Sequence, residues 1–183
     1  MSRNSYIYTR TRGFTLMEVL VALVVISIGL IGIAAMQASA IASTHSSQTE
    51  SLAAIEARSI ADAMQANPGY WASGPAASFT VSAPAAGSSI GTVTDTTLAS
   101  QSTNCYTTAC SAEQLAGFDL QRWGYQLNNQ VPGATAHFTC QIASPSICTI
   151  TVNWSQKATA ALNSGTQSNA TPTTMSYTLV NQF

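Results

Sequence analysis

Arg12-Gly13-Phe14-Thr15-Leu16-Met17-Glu18-Val19 opens an apolar run that continues to Met36, and its reading decides the fold. Arg3, Arg10 and Arg12 lie on its N-terminal side, and after Glu18 no charged residue follows until Glu50. From Val19 to Met36 only Ser27, Gly29 and Gly32 are not plainly hydrophobic. At about 1.5 Å per residue, a helix of roughly 18 to 23 residues covers about 27–35 Å, the hydrocarbon thickness of a bilayer. The stretch predicts a membrane-spanning helix over residues 14–36. The arginines place its N-terminal end in the cytoplasm.

Two plainer readings fit less well. A cleaved secretory signal has a short apolar core closed by a small-residue cut site. Here the apolar run is too long, and the helical pattern continues from Met36 to Asn67. A simple single-span anchor leaves Glu18 unexplained. A carboxylate inside a membrane helix costs a few kcal/mol, so it marks function and calls for a partner.

Gly13-Phe14-Thr15-Leu16-Met17-Glu18-Val19-Leu20 resembles the prepilin cleavage motif of type IV pilins and their relatives. The resemblance implies a leader at residues 1–13, cut by a prepilin peptidase between Gly13 and Phe14. It implies N-methylation of Phe14 and a register-setting role for Glu18 in subunit assembly. A buried carboxylate needs a counter-charge, which in a helical stack the freed amine of a neighbour's Phe14 can supply. Ser27 to Gln37, Ala61 to Pro68, Asp119 to Trp123 with Val131-Pro132-Gly133, and Cys148 to Trp154 are similar to minor pilins called type IV pilus modification protein PilV. Residues 72–104 carry no such likeness. Unlike major pilins, the apolar helix contains no proline. Gly29 and Gly32 are read equally as flexible points, each costing about 1 kcal/mol relative to alanine, or as close-packing small residues.

The chain has 183 residues, 7% of them charged. Without the leader it keeps Arg58, Arg122 and Lys157 against seven acids, a formal charge of −4. Three scattered cations do not make a phosphate-binding surface, so nucleic acid is not an expected partner. A coat of Ser, Thr, Asn and Gln suits an extracytoplasmic protein. Cys105, Cys110, Cys140 and Cys148 are an even set, which outside the cytoplasm favours disulfides. Three pairings are possible, and proximity favours Cys105 with Cys110 and Cys140 with Cys148. Four-cysteine zinc is disfavoured, because the spacings lack the tight C-x2-C knuckle.

Phe14 to Ala66 reads as one helix of roughly 80 Å, apolar all round at first. Its second half places Ile41, Leu52, Ile55, Ile60, Ala63 and Met64 towards a globular domain. Asn67-Pro68-Gly69 ends it. The chain thus divides into leader (1–13), long helix (14–67) and C-terminal globular domain (68–183). Residues 70–110 read as a long connection with strands at Ser78–Ser82 and near Ile90–Thr94. Ser111-Ala112-Glu113-Gln114 is a capping-box pattern. It opens a helix to about Asn129, with Leu115, Phe118, Trp123 and Leu127 facing the core. Strands follow at Ala136–Ile142, Cys148–Trp154 and Thr173–Val180, with a polar loop at 157–172. The expected fold is α+β and type IV pilin-like: a long N-terminal helix packed on a small antiparallel sheet, with a second short helix.

No catalytic motif is present. His45 has no second ligand one turn away, and His137 reads as a surface residue. The sequons at Asn153 and Asn169 read as accidental. No cofactor or metal is expected. The resemblance implies a non-catalytic minor pilin that helps prime type IV pilus assembly at or near the tip. Its partners would be other minor and major pilins, the prepilin peptidase and the inner-membrane assembly platform. It would begin as a single-pass inner-membrane protein and end in the extracellular pilus. The alternatives are a minor pseudopilin of a type II secretion system, and an adhesive or ligand-binding tip module using residues 70–110.

Overall fold

A computed structural model describes residues 13–143, 145–156 and 172–183. Residues 1–12 of the expected leader, most of the polar loop (157–171), and with it the Asn169 sequon, lie outside the described residues. Two compact units divide the chain, Met1–Ile41 and Ala42–Phe183.

Helix α1 runs from Leu16 to Ala66. Its residues in the first unit are exposed on every side, as the uniformly apolar sequence predicts. Its residues in the second unit bury Ala53, Ala57, Ile60, Ala61 and Met64. These positions recur at three- and four-residue steps and form one helical stripe. Here the structure corrects the expected face. Ile55 is 61% exposed and Ile41 70% exposed. At about 100° per residue Ile55 lies on the far side of the helix from Ala57. The buried stripe is built mainly from alanines.

A one-turn helix, α2 (Pro68–Trp71), follows α1 directly, with proline in its first turn. Then come β1 (Ser78–Ser82), β2 (Thr92–Val93), a one-turn α3 (Thr96–Ala99) and α4 (Ala112–Gln130). Strands β3 (Thr135–Gln141), β4 (Ile147–Gln156) and β5 (Thr173–Gln182) complete the unit. The five strands form one antiparallel sheet in the order β2-β1-β3-β4-β5. This is the expected α+β, pilin-like architecture. The capping box of α4 forms in both directions: Gln114 N donates to Ser111 Oγ, and Ser111 N donates to Gln114 Oε1.

Strand alternation sets the core. Cys148, Ile150, Val152 and Trp154 of β4 are buried, while Thr149, Thr151 and Asn153 between them are half-buried. From β3 come Ala136, Phe138 and Cys140, and from β1 Phe79 and Val81. Phe79 and Phe138 stack at 4.6 Å, and Trp123 of α4 meets Phe138 edge-on at 5.8 Å. The Trp123 indole N–H donates to the Glu56 carbonyl oxygen at 2.9 Å, tying α4 to α1. Of the four α4 residues expected in the core, Trp123 and Leu127 are buried, whereas Leu115 and Phe118 are half-buried. Leu120 and Ala116 fill the remaining space. Buried Asn181 of β5 donates to the Ala61 carbonyl oxygen and accepts from Gln65 Nε2.

The region 72–104 is held by a close backbone crossing. Gly91 N donates to the Gln121 carbonyl oxygen at 2.7 Å. A Cβ at Gly91 would stand 2.6 Å from the Gly124 Cα, which is backbone and cannot swing aside. Gly91→Ala is therefore expected to destabilise the protein by about 1–3 kcal/mol, read as a lowered Tm. An unchanged Tm would contradict the crossing.

The Glu56 carboxyl sits beside Trp123, and its Oε2 is buried with no hydrogen-bond partner. Burial pushes this carboxyl above the usual carboxylate range, and the Trp123 N–H pulls it partway back. A raised folded-state value favours the protonated form. Its stabilising contribution is complete below the unfolded value and is lost as pH rises through the folded one. Glu56→Gln is expected to raise Tm at pH 7 while changing it little near pH 4. An equal loss of Tm at both pH values would contradict this.

Candidate processing site and assembly helix

The residues singled out by sequence lie at the start of α1 and in the disulfides, and each has a local cause for its geometry. Gly13, Phe14 and Thr15 are non-helical and exposed ahead of Leu16. A peptidase needs an accessible, unwound bond, and the Gly13–Phe14 bond is one. Thr15 starts the helix. Its Oγ1 accepts a hydrogen bond from Glu18 N at 3.3 Å, and its carbonyl oxygen accepts from Glu18 N and Val19 N. Thr15 thus satisfies an N–H that the first turn would leave bare. The sequence reading missed this role, although the spacing Thr15-x-x-Glu18 is itself the capping-box signature.

Glu18 lies in the first turn of α1 and is exposed. An acid there is favoured by the helix dipole. In the described residues it stands among bare apolar side chains: Phe14 is 79% exposed and Leu16 80%. The same exposure continues through Val19, Leu23, Ile26, Leu30 and Ile33 to Met36. The helix is long and apolar enough to cross a membrane, and its most apolar window is entirely unburied. A continuous apolar surface of this extent marks a membrane or protein contact. Ser27 does not interrupt it, because its hydroxyl donates to the Leu23 carbonyl oxygen within the helix. A Cβ at Gly29 or Gly32 would meet nothing within 4 Å. Neither glycine is therefore required by packing among the described residues.

The four cysteines form two disulfides, Cys105–Cys110 and Cys140–Cys148. Cys140 and Cys148 are direct cross-strand partners on β3 and β4, so the second bond staples the hairpin. No cysteine is free. His45 and His137 are both exposed and far apart in the sequence. Among the described residues no group of three or more His, Cys, Asp or Glu stands together as a metal site.

The prokaryotic N-terminal methylation motif, the signal of type IV pilins and pseudopilins, matches the chain over residues 8–34. No curated protein and no solved structure matches it. The motif and the architecture support a type IV pilin-like protein, and the motif suggests a structural subunit. Such a motif implies processing by a prepilin peptidase and interaction with other pilins. With the apolar helix behind it, it fits membrane anchoring before assembly.

Proposed function

We propose that the chain is a PilV-like minor pilin that helps initiate type IV pilus assembly and sits at or near the tip. The observation that carries the reading is the motif over residues 8–34 joined to a helix whose most apolar window is unburied among the described residues. In this reading the leader, residues 1–13, is removed at Gly13, and the new N-terminal residue Phe14 is methylated. Thr15 stays with the mature chain, so its cap on α1 survives the cut. Residues 14–67 form the assembly helix, with 14–36 in the membrane and then in the filament core. Residues 68–183 form the globular domain. The helix exchanges lipid neighbours for pilin neighbours at the assembly platform, and the Glu18 carboxylate pairs with the amine of a neighbouring Phe14. That pair forms only in one axial position, which makes it a register device.

A minor pseudopilin of a type II secretion system is the second reading, since the matched motif is common to pilins and pseudopilins. The two are separated by capturing the full chain from detergent-solubilised membranes. Co-capture of the minor pilins of the pilus system supports the proposal. Co-capture of secretion pseudopilins alone overturns it.

A further inference from the structure

The groove between α1 and α4 holds a set of polar groups that the filament reading does not use. Tyr106 lies in the loop closed by Cys105–Cys110, and its backbone N–H donates to Asn104 Oδ1 at 3.0 Å. The loop is thus stapled and turned at the point where it presents this ring. The ring meets Phe118 edge-on at 5.1 Å and carries the Arg122 guanidinium over it at 4.8 Å. Yet Tyr106 stays 70% exposed. Tyr106, Asp119, Arg122, Gln126 and Ser59 line one groove, floored by Ile60 and Trp123.

Shielding Phe118 from water accounts for the inner edge of Tyr106. It does not account for the outward ring or for the polar groups that converge beside it. Among the described residues, the side chains of Ser59, Asp119 and Gln126 make no hydrogen bond, and Arg122 has no carboxylate within ion-pair distance. Ser59, Arg122 and Gln126 are exposed and Asp119 is half-buried, and all four line the groove beside Tyr106.

We propose that this groove binds a pyranose sugar bearing a carboxylate. Arg122 is preorganised by its two aromatic contacts and takes the carboxylate in a forked, charge-assisted pair. The exposed part of Tyr106 packs against the apolar C–H face of the sugar ring. Asp119, Gln126 and Ser59 take ring hydroxyls. Burial pushes the Asp119 carboxyl up. An open groove with few contacts implies weak binding, of the order of 1 mM. The proposal does not rest on the filament reading.

The test uses the full chain in detergent micelles, titrated with sodium glucuronate and with N-acetylneuraminate, with glucose as neutral control. Ligand saturation-transfer NMR reads the binding, and circular dichroism checks the fold. Saturable binding of an acidic sugar is expected, at least about tenfold tighter than glucose. Arg122→Gln and Tyr106→Ala, both surface changes, are each expected to weaken it about tenfold or more with the fold intact. Three results would overturn the proposal: neither acidic sugar binds, glucose binds as well as they do, or both folded variants bind as the unaltered chain does.

Discussion

A Glu18→Val chain is expected to be made, inserted in the membrane and cut after Gly13, yet to be depleted from filaments about 100-fold. Valine extends the apolar run, so anchoring gains rather than loses. The cut site keeps its unwound, exposed form, because Gly13, Phe14 and Thr15 precede the helix and Thr15 still accepts the backbone N–H of residue 18 through its hydroxyl. What disappears is the carboxylate. In the packed filament the neighbour's amine would then be buried without a counter-charge, which costs about 3–5 kcal/mol. Three kcal/mol already corresponds to about two orders of magnitude in a binding equilibrium. The measurement is the ratio of the chain in sheared filaments to the chain in membranes. A ratio equal to that of the unaltered chain would remove Glu18 from the assembly step.

Trp123→Ala is expected to be the most damaging single change in the globular unit. Trp123 is 3% exposed, packs on Phe138, and donates its indole N–H to the Glu56 carbonyl oxygen. It therefore links α4, the sheet and α1 at once. Truncation of such a side chain costs about 3–5 kcal/mol, a large part of the roughly 5–15 kcal/mol that holds a domain folded. For a unit of this size Tm falls by about 10–15 °C. Thermal unfolding followed by circular dichroism reads it directly. Trp123→Phe keeps most of the packing and loses the hydrogen bond, so it should fall between the two. A drop of less than about 3 °C for the alanine variant would show that the two helices are held together by other contacts.

The elements legible in the sequence are those with a strong period or a local chemical signal. The apolar run from Val19, the alternation of Cys148 to Trp154 and the Ser111-x-x-Gln114 box each specify one structure, and each appears. Strand β1 is found at Ser78–Ser82, as its pattern predicts. What sequence did not reveal depends on tertiary fit. The buried stripe of α1 is mostly alanine, and alanine does not announce a face. The larger Ile55 drew the expected face towards itself although it points outward. Gly91 and Gly124 are 33 positions apart, and only the folded backbone brings them into contact. The α3 turn is capped by Asp95, whose side chain accepts from Leu98 N, a signal present in sequence but short and easily passed over. At the candidate site the proposed cut after Gly13 and the proposed role of Glu18 come from the family resemblance. The cap by Thr15 was legible from spacing and was missed. The groove at Tyr106 was not legible at all, because a disulfide loop and two helices assemble it.

The most direct test of the account is the mass of the N-terminal peptide of the protein recovered from membranes or sheared filaments. The account predicts a peptide that begins at Phe14 and is one methyl group heavier than its sequence. A peptide beginning at Met1 or Ser2 would mean that Gly13 is never cut, and Glu18 would lose its proposed partner. A peptide beginning beyond Met36 would identify the apolar stretch as a discarded signal and contradict the account.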